Sequence, residues 1–109
     1  MATVQTTQER RIELDSKLRA LLGNTNVYFQ PPESVKLKYD CIIYDLAGAR
    51  SLHADNLHYK NMRRYDILHI HRDPDVDLME SMGDAFRFVS FDRRYVSENL
   101  YHDVYTLYY

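Results

Sequence analysis

Little in this chain of 109 residues invites covalent cross-links or cofactor chemistry. The single cysteine, Cys41, excludes an internal disulfide and any multi-cysteine zinc site. It lies in an apolar run, so a small buried thiol is its expected role. The three glycines are isolated, which leaves no spaced glycine-rich loop to cradle a phosphate. Long hydrophobic runs are missing too, since none approaches the roughly 18 residues that span a bilayer. No membrane association is therefore expected. The first residues, Met-Ala-Thr-Val-Gln-Thr-Thr, lack the basic and apolar regions of a signal peptide. Together these absences point to a soluble chain made in a reducing cytoplasm. Basic charge is not in excess either: 14 Lys and Arg against 16 Asp and Glu give a net charge of −2. That balance excludes a chain built to neutralise many phosphates.

What is present is ordinary globular material, 45% hydrophobic and 28% charged, enough for one domain spanning residues 1–109 with a single modest core. The unusual number is ten tyrosines beside four phenylalanines and no tryptophan. Tyrosine joins a large apolar face to a polar tip, which suits both sheet surfaces and surfaces that alternate between water and a partner.

Residues 1–6 read as a flexible start. Thr6 with Glu9 forms a capping box, and Leu14, Leu18, Leu21 and Leu22 recur on one helical face. Gly23 is a natural C-terminal cap, so a helix is predicted over Thr7–Leu22. Val27–Phe29 reads as a short strand stopped by Pro31 and Pro32. A second strand is expected over 38–46, with Tyr39, Cys41 and Ile43 on one side and Ile42 and Tyr44 on the other. Apolar residues on both sides suggest an interior strand covered on both faces. The stretch 47–61 has no sustained period and is expected to be a long hairpin loop or arm. Strand character returns over 62–72, with Tyr65 and Ile67 opposite Leu68 and Ile70. Asp73-Pro74 reads as the start of a second helix, with Leu78, Met79 and Met82 on one face and Gly83 at its end. A strand over 86–95, a turn at Ser97-Glu98-Asn99 and a strand over 101–108 complete the chain. The expected fold is α+β: a largely antiparallel sheet of about four strands, with two helices packed on it and a long hairpin arm.

Catalytic constellations are weak. His69 and His71 alternate along a strand and point the same way, but two imidazoles fall short of the usual three or four metal ligands. Asp73 has its own explanation as a helix cap. Cys41 sits mid-strand, without a helix N-terminus to lower its pKa. Asp73, Asp75 and Asp77 suit the positive end of a helix dipole without any acid–base role. No catalytic residue, metal or cofactor is therefore expected. Charge patterning says more. Residues 47–64 carry Arg50, Lys60, Arg63 and Arg64 against Asp55 alone, whereas residues 73–84 carry Asp73, Asp75, Asp77, Glu80 and Asp84 with no basic residue. The two segments are either solvated surfaces or complementary patches that meet across neighbouring subunits.

The run 27–44, VYFQPPESVKLKYDCIIY, resembles the front half of the phage tail terminator (tail completion, head-tail joining) proteins, although Asp40 stands where that family's pattern has proline. HRDPD at 71–75 resembles the family's entry into its second helix, and SFDR at 90–93 with ENLYHDVY at 98–105 resembles its closing hairpin. The resemblance implies a non-enzymatic virion subunit, assembled in the host cytoplasm into a homo-oligomeric ring, commonly a hexamer. Such a ring caps the tail tube and joins it to the neck, with the tube protein below and a head-completion or other neck protein above. DNA passing through the lumen would make transient, non-specific contact. On this reading Arg50, Lys60, Arg63, Arg64, Asp75, Asp77 and Glu80 are candidate interface or lumen residues. Three alternatives stand beside it: another neck ring, such as a head-completion (stopper) protein, a small metal-dependent hydrolase using His69 and His71, and a nucleic-acid-binding module.

Overall fold

The computed structural model describes residues 6–49 and 62–109. Its first element, α1 (Thr7–Leu22), occupies the span its sequence signals define. The Thr6 hydroxyl accepts from the Glu9 amide at 3.1 Å and donates to the Glu9 carboxylate, which fixes the helix entry. At the other end Gly23 turns left-handed, at φ 81°, so that its amide reaches the Arg19 carbonyl at 2.9 Å. Leu14 and Leu18 are wholly buried, and Leu21 and Leu22 pack half-buried against the same core. Ile12, on the opposite side of the helix, is 50% exposed.

Five strands follow: β1 (Val27–Phe29), β2 (Cys41–Ala49), β3 (Arg63–His71), β4 (Val89–Ser97) and β5 (Leu100–Tyr108). They form one sheet in the order β1-β2-β3-β5-β4. Every pairing is antiparallel except β1 with β2, so the sheet has five strands rather than about four, the extra one being the short parallel edge. The β2–β3 hairpin agrees with the sequence reading, while the tip of its expected arm, 50–61, lies outside the described residues. Glu98 and Asn99 both take positive φ, 52° and 65°, between paired Ser97 and Leu100. That is the two-residue turn whose twist matches antiparallel strands.

Strand register sorts the side chains into two faces. Val27, Ile42, Tyr44, Tyr65, Ile67, Tyr105 and Leu107 share the face on which Leu14 and Leu18 of α1 and Met82 of α2 (Met79–Ala85) pack, and these residues make the core. Ile43, Leu68 and Val104 stand in one row on the other face and remain half-exposed. Near β1 that face is shielded: the Lys38 amide donates to the Tyr28 phenol at 3.2 Å, and Cys41 and Ile70 beside it are buried. The prediction of an interior β2 holds. Its expected cover on both faces does not, because among the described residues both helices lie on the same side.

The second helix starts five residues later than Asp73-Pro74 suggests, at Met79 rather than Pro74. Asp73 instead closes a turn, its carboxylate accepting from the Asp75 amide at 2.9 Å and its carbonyl from the Val76 amide at 3.2 Å. Leu78 occupies the N-cap position of α2, while the Asp77 carboxylate accepts from the Met79 amide at 3.0 Å. Gly83 lies inside the helix, and Phe86 ends it in extended backbone. The buried face is Leu78, Met82 and Phe86; Met79 is 42% exposed.

One-sided packing of α1 sets an asymmetry for urea unfolding to measure. Leu18→Ala should cost about 2–5 kcal/mol, and Ile12→Ala about 0.5 kcal/mol or less. Comparable losses at both positions would contradict this placement of the helix.

Candidate functional site

Two features stand out from the fold: a buried charged cluster on the helix-covered face and an exposed sheet edge beside it. The cluster begins with Asp103, which lies in β5 between Tyr101 and Tyr105 on the covered face and is fully buried. A carboxylate there needs compensating charge. Two groups supply it. Arg94 Nε meets Asp103 Oδ1 at 2.5 Å and an Nη meets Oδ2 at 3.0 Å, the two-pronged geometry that a guanidinium favours. His71 Nε2 meets Asp103 Oδ2 at 2.8 Å.

Register explains why Arg94 fills this role. A bulge between Phe91 and Arg93 inserts Asp92 as an extra residue, so that Arg94 rather than Arg93 stands opposite Asp103. The guanidinium then reaches past the carboxylate to the Pro74 carbonyl at 2.9 Å and the Val76 carbonyl at 3.2 Å. His71 adds another tie, its Nδ1 lying 2.8 Å from the Asp73 carbonyl. Both ring nitrogens are thus engaged with oxygen atoms, one of the Asp73 carbonyl and one of the Asp103 carboxylate. The Asp73, Pro74 and Val76 carbonyls are thereby claimed by side chains or by the turn. A helix starting at Pro74 would need the same carbonyls for its own ladder, which is why α2 begins only at Met79.

His69 completes the cluster without sharing in the bonding. It is buried, its ring stacks on His71 at 4.5 Å between centroids, and its Nδ1 has no hydrogen-bond partner. Burial, followed by the neighbouring His71 charge, lowers its pKa to about 4, so it is neutral. For Asp103, burial works to raise the pKa, but hydrogen bonds from Arg94 and His71 and their charges outweigh it and hold the carboxyl below its ordinary value.

His69, His71 and Asp103 bring three potential metal-ligand atoms within 4.8 Å of one another. Asp73 contributes a carbonyl to His71 rather than a carboxylate to this group, so the acid beside the two histidines is Asp103 and not the nearby Asp73. The donor set is already committed. Both nitrogens of His71 and both oxygens of Asp103 are engaged, and an inserted cation would break the His71–Asp103 contact and sit beside the Arg94 guanidinium. The chemistry of these residues fits a clamp holding the 73–77 segment onto the sheet. Asp103 carried a legible signal, being the one acid on an otherwise apolar alternating face. Arg94 carried none until the bulge was known.

The clamp shapes the second feature. β4 is a nine-residue edge strand paired only with β5, and its residues are mostly exposed. Among the described residues, five of the eight exposed large apolar side chains lie on it or on the segment pinned beside it: Val76, Met79, Phe91, Tyr95 and Val96. Asp75, Asp77, Glu80 and Asp84 are exposed along the same flank. Of the basic candidates, Arg63 and Arg64 start β3 inside the sheet and are half-buried, while Arg50 and Lys60 lie outside the described residues. Arg63 and Arg64 therefore stand on β3, which β5 separates from β4 and the acidic segment beside it. A cleft of about 280 Å³ near the chain end adds three other cations, Arg10, Lys17 and Arg87, around Phe86 and Tyr109. No described helix is long and apolar enough to cross a membrane. A scan against protein-family models found no match, nor did searches of curated proteins and of solved structures.

Two tests follow from the cluster. Asp103→Ala strands His71 and Arg94 without their carboxylate and should destabilise the fold by about 3 kcal/mol or more, seen as a lower urea midpoint and faster proteolysis within 73–77. An unchanged midpoint would show that the clamp is dispensable. The second test uses pH. In the unfolded chain His69 binds a proton below its ordinary value of 6.5, but in the fold only near 4, so its contribution is complete above 6.5 and is lost as pH falls toward 4. Between roughly pH 7 and pH 5 this amounts to about 2 kcal/mol. His69→Gln should remove that part of the acid sensitivity, and a variant equally acid-sensitive over the interval would refute the assignment.

Proposed function

We propose that this chain is a non-enzymatic structural subunit of a phage virion, forming a ring, hexameric on the pattern of the tail terminators, that caps the tail tube and joins it to the neck. The observation that carries this reading is the β4 edge: a long strand with free backbone hydrogen-bonding capacity, exposed apolar side chains and an acidic flank. Exposed apolar residues gathered in one place mark an interaction surface. Unpaired edges recruit further strands unless they are blunted. The sequence resemblance over 27–44, 71–75 and 98–105 supplies the identity of the assembly.

The clamp serves the same end. It spends a buried ion pair on fixing a short segment against the edge strand, a use that rigidifies a surface rather than activating a nucleophile or a water. The sheet's two edges differ in length and charge, so contact between them is heterologous, the kind that closes into rings. The tube protein lies on one side of such a ring and a neck protein on the other, with DNA passing in non-specific contact. The cations Arg10, Lys17 and Arg87 are suited to that last contact alongside Arg50 and Lys60.

Locating a tagged copy in purified particles by electron microscopy tests this directly. The expected result is label at the upper end of the tail tube, at the junction with the neck. Label confined to the capsid shell or the baseplate would overturn the proposal.

A further inference from the structure

We infer that the β4 edge is completed by the β1 edge of a second copy of this chain, so that one sheet runs on from subunit to subunit. This rests on the self-assembly proposed above and specifies its contact. β4 and β1 are the two outer strands of the same sheet, so each subunit offers one of each. Backbone pairing across the boundary would satisfy the unpaired edge of β4 by strand addition.

Charge decides between the possible partners. Exposed Asp75, Asp77, Glu80 and Asp84 run along α2 and the turn before it, and Arg94 holds that turn to β4 through the Pro74 and Val76 carbonyls. Pairing β4 with the β4 of another copy would bring two such acidic flanks together, which is repulsive. The β1 edge is the complement. Lys36 and Lys38 are exposed on the connector that follows β1, and Lys38 is tied to that strand by its amide bond to the Tyr28 phenol. Among the described residues neither lysine has an ion-pair partner. The connector beside β1 carries exposed Glu33 against Lys36 and Lys38, a net excess of one positive charge (2 − 1), whereas 73–84 carries five acids and no basic residue, which favours head-to-tail order over self-pairing.

The apolar contribution comes from β4 itself. Val96 is 62% exposed and Phe91 and Tyr95 are each 40% exposed, on a strand whose alternating residues present both faces to an added neighbour. The bulge at Phe91 and Arg93 interrupts the strand once, so pairing is expected to concentrate on the stretch beyond it, toward Val96.

The test compares backbone hydrogen exchange in dilute protein with exchange at concentrations raised from micromolar to millimolar, with particle mass followed by light scattering. Assembly with β4 amides protected by about tenfold or more supports the inference. Assembly with β4 amides exchanging as in the dilute chain would overturn it and leave the ring reading standing. Absence of assembly throughout the range would count against the ring reading, and the inference would fall with it. Charge exchange supplies the second arm. Glu80→Lys with Asp84→Lys should weaken association by about tenfold, and adding Lys36→Glu with Lys38→Glu to the same chain should restore it. All four positions are exposed, so each variant should fold, which circular dichroism checks. Weakening without restoration would contradict the β1–β4 contact.

Discussion

Asp103 is the constraint around which this fold is arranged. A carboxylate with no solvent exposure, set among tyrosines on the packed face of a sheet, is tolerable only with charge and hydrogen bonds at both oxygens. Arg94 and His71 provide them, and each extends the connection to a different carbonyl of the 73–76 turn. One buried acid thereby joins β3, β4, β5 and the approach to α2. Losing it would free a segment that has few other ties to the sheet, and with it the flank of the edge strand. The same arrangement accounts for a neutral His69, since burial and then the neighbouring His71 both oppose a charge on its ring.

Much of the fold was legible because local signals and tertiary packing agree. Thr6, the leucine spacing and Gly23 define α1 without help from other elements. The strand over 101–108 was legible too, and its register with β3 puts Tyr101, Tyr105 and Leu107 on one face and Val104 and Tyr108 on the other. The start of α2 was not legible, and the reason is specific. Asp73-Pro74 has the chemistry of a helix entry, but His71 and Arg94 claim the carbonyls that the first turn would need, and no local rule anticipates a guanidinium arriving from 18 to 20 residues away. Residues such as Asp103 can be flagged by sequence as an acid on an apolar face. Its partner Arg94 depends on a one-residue bulge that neither composition nor periodicity reveals.

The candidate surface was half legible in the same sense. Charge patterning separated an acidic 73–84 segment from a basic 47–64 segment, and the structure places the acidic one beside a long free strand. It also moves Arg63 and Arg64 into the sheet, which turns attention to Lys36 and Lys38 as the exposed cations of the opposite edge. Apolar residues on both sides of β2 led to an expectation of two covering layers. One layer is present, and the half-exposed row Ile43, Leu68 and Val104 marks the other face. Among the described residues the sheet thus has one face without a helix and two unlike edges.

The central claim is that the subunits join through the free edge that the clamp stabilises. A density map of the assembled protein, resolved well enough to trace strands at the subunit boundary, tests it most directly. The account predicts β4 hydrogen-bonded along its outer side to a strand of the neighbouring copy, with Glu80 and Asp84 facing that copy's lysines. An assembled ring in which β4 remains exposed to solvent, and the contacts lie elsewhere, would contradict it.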